Sequence, residues 1–212
     1  MLDRIGALLS GLAFGACSVI GRRAGIEEPS YTVADRLGPV EIRAYGPRLA
    51  AETVVEGDEL AARSAGFRRL AAYIFGANHG GAKIAMTAPV AQSGQRIAVT
   101  APVAQDEAVG GGWRIRFFMP AEWTRERLPV PNDPAVRIVE VPAVTMAVLR
   151  FSGVPRPEAV AEERAVLMRA LAGSPPGTRP WHAVGEPEEW FYDPPWTLPP
   201  LRRNEVAVPV VR

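Results

Sequence analysis

The sequence predicts an α+β fold: a distorted antiparallel β-barrel made of two pseudo-symmetric β-α-β-β halves with two flanking helices. Three observations predict it. Period-2 and 3.6-period stretches alternate as strands, helix, strands, and then as strands, helix, strands again. The 212 residues suffice for one domain with a substantial core and are too few for two comfortable ones. The 21 prolines and 20 glycines call for many short elements joined by turns. An antiparallel sheet with both helices on its outside curls toward a barrel.

Tyr31–Ala34 and Val40–Tyr45 alternate as strands across a Leu37-Gly38-Pro39 turn, and Arg48–Glu56 continues as a third strand. Asp58 is a helix N-cap, followed by Leu60, Phe67, Leu70 and Ile74 near one helical face and by Gly76 as the stop. Asn78 to Gly81 is a turn. Gly110 to Gly112 punctuates the chain before a strand over Trp113–Met119, and Pro120–Pro134 is a polar loop. Val136–Val141 and Val144–Phe151 read as a hairpin across Pro142-Ala143. Pro157–Leu171 is the second helix, with Val160, Leu167, Met168 and Leu171 inward and Gly173 as its stop. Trp181–Val184 and Trp190–Tyr192 are short extended pieces, and Arg203–Val211 is the last strand, tapering at Pro209. The prolines of Asp193–Leu201 exclude a helix there and predict a rigid extended loop that holds Trp196 against the barrel.

Composition excludes several function classes. The formal net charge of +1 gives no basic field for nucleic acid. Cys17 is the sole cysteine, so one chain can build neither an internal disulfide nor a cysteine-based zinc or iron–sulfur site. Covalent haem attachment through Cys-x-x-Cys-His is excluded for the same reason. His79 and His182 are the only histidines, and Lys83 is the only lysine.

Residues 1–25 stand apart from the domain proper, 26–212. Ile5 to Gly21 carries no charge and is flanked by Arg4 and by Arg22-Arg23. It is at the short limit for a spanning helix, which takes about 20 apolar residues. It reads as a signal peptide or a membrane anchor, which makes the protein membrane-associated or exported; an ordinary apolar helix on a cytoplasmic protein is the alternative. Within the domain, Ile84-Ala-Met-Thr-Ala-Pro-Val-Ala-Gln92 recurs as Ile97-Ala-Val-Thr-Ala-Pro-Val-Ala-Gln105, with Met86 against Val99 as the one difference. A repeat this short is a local tandem duplication, not a solenoid unit. One copy is expected to be structurally optional.

Four segments resemble the SOUL haem-binding family. They are Glu41-Ile-Arg-Ala-Tyr-Gly-Pro47, Tyr73-Ile-Phe-Gly-Ala-Asn78, Lys83-Ile-Ala-Met-Thr-Ala-Pro-Val90 and the stretch from Tyr192 to Val206. They lie in the family's order, and the resemblance runs from about Glu28 to Val208. It implies a two-half barrel with two helices, non-covalent haem or another tetrapyrrole as ligand, and no common catalytic chemistry. Two positions depart from the family. Ala44 stands where an axial histidine has been proposed in some members, and Pro200 stands where phenylalanine is common.

Haem is an apolar disc with two carboxylates on one edge, so its site needs an apolar slot, a cation and optionally an iron ligand. Slot candidates are Met86, Met119, Met146, Phe117, Phe151 and Trp196, with Met86 and Trp196 inside the two most specific motifs. Candidate cations are Arg43, Lys83, Arg202 and Arg203. His79 and His182 are the candidate iron ligands, although a haem held without histidine is expected from Ala44. Enzyme signatures are lacking: Ala82 breaks the phosphate-loop pattern after Gly81, and there is no Gly-x-Ser-x-Gly. The sequence therefore points to a haem or tetrapyrrole carrier or buffer. A small-ligand sensing or protein-interaction module on a GyrI-like two-half barrel is the alternative, and an enzyme acting on a porphyrin a third.

Overall fold

The computed structural model describes residues 25–96, 111–173 and 180–212. The apolar run 5–21, Cys17 and the second repeat copy, 97–105, lie outside the described residues. The first half of the chain forms β1 (Tyr31–Leu37), β2 (Val40–Tyr45), β3 (Arg48–Glu56), α1 (Glu59–Ile74), β4 (Val90–Arg96) and β5 (Gly111–Phe118). The second forms β6 (Arg137–Val141), β7 (Val144–Phe151), α2 (Pro157–Ala172), β8 (His182–Ala183), β9 (Glu188–Phe191) and β10 (Asn204–Val211). The strands make one curled antiparallel sheet in the order β1-β2-β7-β10-β9-β4-β5-β3-β6, with β8 on the end of β10. Among the described residues the outer strands β1 and β6 do not pair with each other, so the barrel is open.

The duplication expected from the sequence is visible in this order. In β3-α1-β4-β5, the last strand lies between the other two. In β7-α2-β9-β10, β10 lies between β7 and β9 in the same way. The halves join where β4 pairs with β9, Ala91 opposite Trp190 and Gln92 opposite Glu189. Each half then receives one strand from across the molecule: β2 lies beside β7, and β6 lies beside β3.

The hairpin expected across Pro142-Ala143 is therefore wrong. β6 and β7 are consecutive but pair with different partners. A two-residue hairpin turn of the kind that matches strand twist needs φ > 0, usually from glycine or asparagine. Pro142 has φ fixed near −65°, and among the described residues no residue other than glycine has positive φ. The chain therefore crosses to the other half, as it also does at Gly46-Pro47 between β2 and β3.

Both helices cover one face of the sheet. The Asp58 side chain accepts from the backbone N–H groups of Leu60 and Ala61 and caps α1. Past its end, Gly76 takes φ 115° and turns the chain away. The α1 face that packs is Ala62, Gly66, Leu70, Tyr73 and Ile74, set against Ala51, Ile115 and Phe117. Leu60 and Phe67, expected inward, are exposed. The helix sits too close for large side chains at its centre: a Cβ on Gly66 would lie 2.7 Å from two carbons of Ile115. Helix α2 packs Val160, Leu167 and Leu171 onto Ala147, Leu149, Val206 and Val208, and Met168, also expected inward, is exposed.

The proline-rich segment after β9 is irregular apart from a 3₁₀ turn at Pro199–Leu201. Trp196 does not lie against the barrel as expected; it is 63% exposed. Its neighbour Thr197 is the buried side chain of this loop. Four prolines stiffen the loop but do not dictate which way the indole points.

Candidate ligand site

The helix-free face of the sheet carries a buried ionic network. Glu205 on β10 is fully buried and receives Arg43 from β2 through both oxygens, Nη1 to Oε2 at 2.9 Å and Nη2 to Oε1 at 3.2 Å. Arg203 donates from Nε to Oε1 at 3.0 Å, and the Tyr192 hydroxyl donates to Oε2 at 2.7 Å. Arg43 also pairs with Glu41, and Arg203 with Glu28, each at 2.9 Å. Burial, with the Glu205 charge beside it, pushes the Tyr192 hydroxyl well above its ordinary pKa. Two of the four cations named for a ligand carboxylate, Arg43 and Arg203, are thus saturated by protein carboxylates. A third, Arg202, donates to the carbonyls of Thr197 and Pro195. Lys83 is exposed.

A cleft of about 680 Å³ opens where the chain crosses between the halves. One wall is the Gly46–Leu49 crossing, and another is Glu140–Pro142 at the second crossing. Phe118–Ala121 with Trp123, Glu27–Ser30 and Thr87 complete it. Thr87 belongs to the motif Lys83–Val90, and its hydroxyl donates to the Phe118 carbonyl, which ties that motif to the cleft wall. A second cavity of about 110 Å³ adjoins, lined among others by Arg116, Met146, Glu188 and Pro209. Arg48, Phe118, Val141 and Pro142 border both. The larger volume is within the roughly 300–1,000 Å³ typical of small-molecule sites.

Two polar groups at this cleft lack partners. Arg48 Nε and Nη1 are buried without a hydrogen bond, and so is the Trp123 indole Nε1. The Arg48 guanidinium lies over the Tyr45 ring at 4.6 Å and the Phe118 ring at 4.5 Å. Burial pulls its pKa down, opposed by the charge of Glu188. Buried donors in native proteins are nearly always paired, so each exception calls for an explanation.

Of the slot candidates, Met119 lines the cleft and Met146 lines the smaller cavity. Met86 and Phe117 pack into the core under α1, Phe151 packs under α2, and Trp196 lies on the exposed loop. His79 and His182 are exposed and belong to separate places, the turn that bonds Val130 and the strand β8 beside Val211. Neither lines the cleft, and the described residues contain no cluster of three or more metal-ligating side chains. Sequence reasoning missed Arg48, Trp123 and Phe118. Arg48 directly follows the Glu41–Pro47 motif, and the Gly46-Pro47 break between two strands was the signal that could have drawn attention to it.

A family model described as "SOUL heme-binding protein" matches residues 26–209. The chain belongs to the SOUL haem-binding family. The match covers nearly the whole sequence. No curated protein sequence matches the chain. Among solved structures, this SOUL domain is similar to the EcmrR C-terminal domain, with TM-score 0.57, 12% identity, and coverage of 86% of this chain and 98% of that one. It is also similar to EcmrR in a DNA complex, with TM-score 0.58 and 12% identity, spanning 65% of that longer chain. A hydrolase from Listeria innocua gives TM-score 0.55 at 10% identity, covering 81% of this chain and 91% of that one. At these identities the likeness is one of fold. Among the described residues no helix is long and apolar enough to cross a membrane.

Haem, the family's ligand, fits this cleft in part. Leu49, Phe118, Met119, Trp123 and Val141 would give a macrocycle apolar and aromatic lining, and Arg48 would be the cation for its carboxylate edge. Imidazole ligation of iron does not fit, because no histidine lines the cleft. Met119 is the one thioether among the lining residues.

Proposed function

We propose that this SOUL domain binds haem or a related tetrapyrrole non-covalently in the cleft between the two strand crossings, and serves as a carrier or buffer without catalysing a reaction. The observation that carries the proposal is the ligand-sized cleft lined by Phe118, Met119 and Trp123, with the unpaired Arg48 on its wall. The macrocycle is held by its faces and its carboxylates, not by a histidine. The π system of the macrocycle would supply the Soret band that reports binding. Leu49, Phe118 and Trp123 exclude water from the disc, and Arg48 holds its negative edge. Titration of the protein with haem is expected to give a saturable shift of the Soret band at one haem per chain. The variant with both His79 and His182 replaced by alanine should titrate alike. Lack of a saturable shift in the parent, or its full loss in the double variant, would contradict the proposal.

The alternative, a sensing module for small ligands, shares the same cleft. It is favoured by one observation: a cleft without histidine makes no demand for iron. Association with a membrane through residues 5–21 is a further part of the proposed reading, and a carrier held at a membrane is compatible with either ligand.

A further inference from the structure

We infer that Arg48 and Trp123 form a carboxylate-recognition subsite, so that the cleft selects flat aromatic acids by their carboxylate and not by a metal. The inference deepens the proposed function and rests on its placement of the ligand in the cleft.

Four other cations of the helix-free face are engaged. Arg43 and Arg203 bond Glu205, and Arg114 and Arg116 pair with Glu52. Arg48 has neither a salt bridge nor a hydrogen bond for Nε or Nη1, although it sits in the same sheet beside Glu188 and Arg116. Leaving Nε and Nη1 of Arg48 buried and unpaired is costly, and the contacts of the guanidinium with the Tyr45 and Phe118 rings offset only part of that cost. A methionine would fill the space over Tyr45 and Phe118 without that cost. The arginine is therefore explained by an acceptor that arrives with the ligand. The rings that lie against it leave the guanidinium edges for an acceptor, where a carboxylate oxygen can meet one of the orphan donors, Nε or Nη1.

Trp123 adds a second, independent donor to the same cleft. Its indole Nε1 is buried without a partner, while Arg127 lies over its ring at 5.7 Å. A buried tryptophan normally finds a partner for its N–H. The three carboxylates that line the cleft do not meet this need: Glu28 pairs with Arg203, Glu27 accepts from the Ala121 N–H, and Glu140 is exposed and makes no bond to the indole. Two unsatisfied donors beside the aromatic and apolar side chains of one cleft define a ligand with a flat aromatic body and at least one carboxylate. A tetrapyrrole bearing carboxylates is one member of that class.

The test uses 1-pyrenecarboxylic acid and its neutral amide as fluorescent probes, and haem and its dimethyl ester as tetrapyrrole probes. The parent protein should bind each acid at least about tenfold more tightly than its neutral counterpart, the size of a lost charge-assisted bond. Arg48→Met should abolish that preference and leave the neutral probes unaffected. Trp123→Phe should reduce it while keeping the ring. Equal affinity for acid and neutral probe in the parent overturns the inference, and that measurement needs no variant to fold. An Arg48→Met protein that keeps the preference, or a parent that binds neither pyrene probe, also overturns it. If the pyrene acid binds and haem does not, the haem reading fails while the carboxylate subsite stands.

Discussion

Arg43 and Glu205 form a two-pronged ion pair across β2 and β10 although 162 residues separate them in the chain, and both side chains are almost wholly buried. The pair ties the swapped strand of one half to the central strand of the other. The sequence offers Arg43 as a ligand cation, yet Glu205 and Glu41 occupy its donors. Removing one partner of a buried pair leaves an uncompensated charge and typically costs about 3–5 kcal/mol. Glu205→Ala is therefore expected to lose about that much in urea unfolding. Haem affinity of the remaining folded protein should hold. A large drop in affinity with unchanged stability would instead make this pair part of the site.

Glu189 predicts a pH dependence of stability. It lies on β9, 2% exposed, and receives Arg164 of α2 at 2.7 Å and Arg63 of α1 at 3.3 Å, with Gln92 of β4 opposite and Glu59 of α1 nearby. Burial and the Glu59 charge push its carboxyl up from 4.5 to about 7, against the pull of the two arginines. The folded state then holds a proton that the unfolded state has released between those two values. Stability from this group is thus highest below about pH 4.5, falls as pH rises toward 7, and is level above it. Urea unfolding of the parent minus that of Glu189→Gln should show this fall. A difference that does not vary between pH 4.5 and 8 would show that the two arginines keep Glu189 ionised throughout.

Trp196 gives the sharpest contrast between motif and structure. A buried tryptophan cut to alanine costs about 3–5 kcal/mol, but a side chain 63% exposed is expected to cost less than about 1 kcal/mol. It does not line the cleft, so haem affinity should also stay within a factor of two. Thermal unfolding and a haem titration of Trp196→Ala check both. Loss of affinity would bring the proline-rich loop into the site.

The fold was largely legible because its signals are local. The Asp58 cap, the two glycine helix stops and the alternation in Val40–Tyr45 act within a few residues, and they mark elements whose order repeats. Pairing was less legible. Pro142-Ala143 is as short as a hairpin turn, and only the missing positive φ argues against one. The Arg43–Glu205 and Arg203–Glu28 pairs join residues far apart in sequence, so the near neighbours Glu41 and Glu205 reveal only part of how these arginines are satisfied. Arg48 was hidden for the converse reason: nothing in the sequence shows that Glu52, four residues on, is taken by Arg114 and Arg116. Of the named slot residues, Met119 reached the cleft because it follows the end of β5, where the wall begins.

The cleft itself is tested most directly by filling it. Ala121 lines its mouth and is exposed, so Ala121→Trp adds bulk there without disturbing the core. In a Soret titration at matched protein concentration, the parent should saturate at one haem per chain, and Ala121→Trp should lose affinity at least tenfold while unfolding at the parent's temperature. An Ala121→Trp protein that takes up haem as the parent does would place the ligand elsewhere on the barrel.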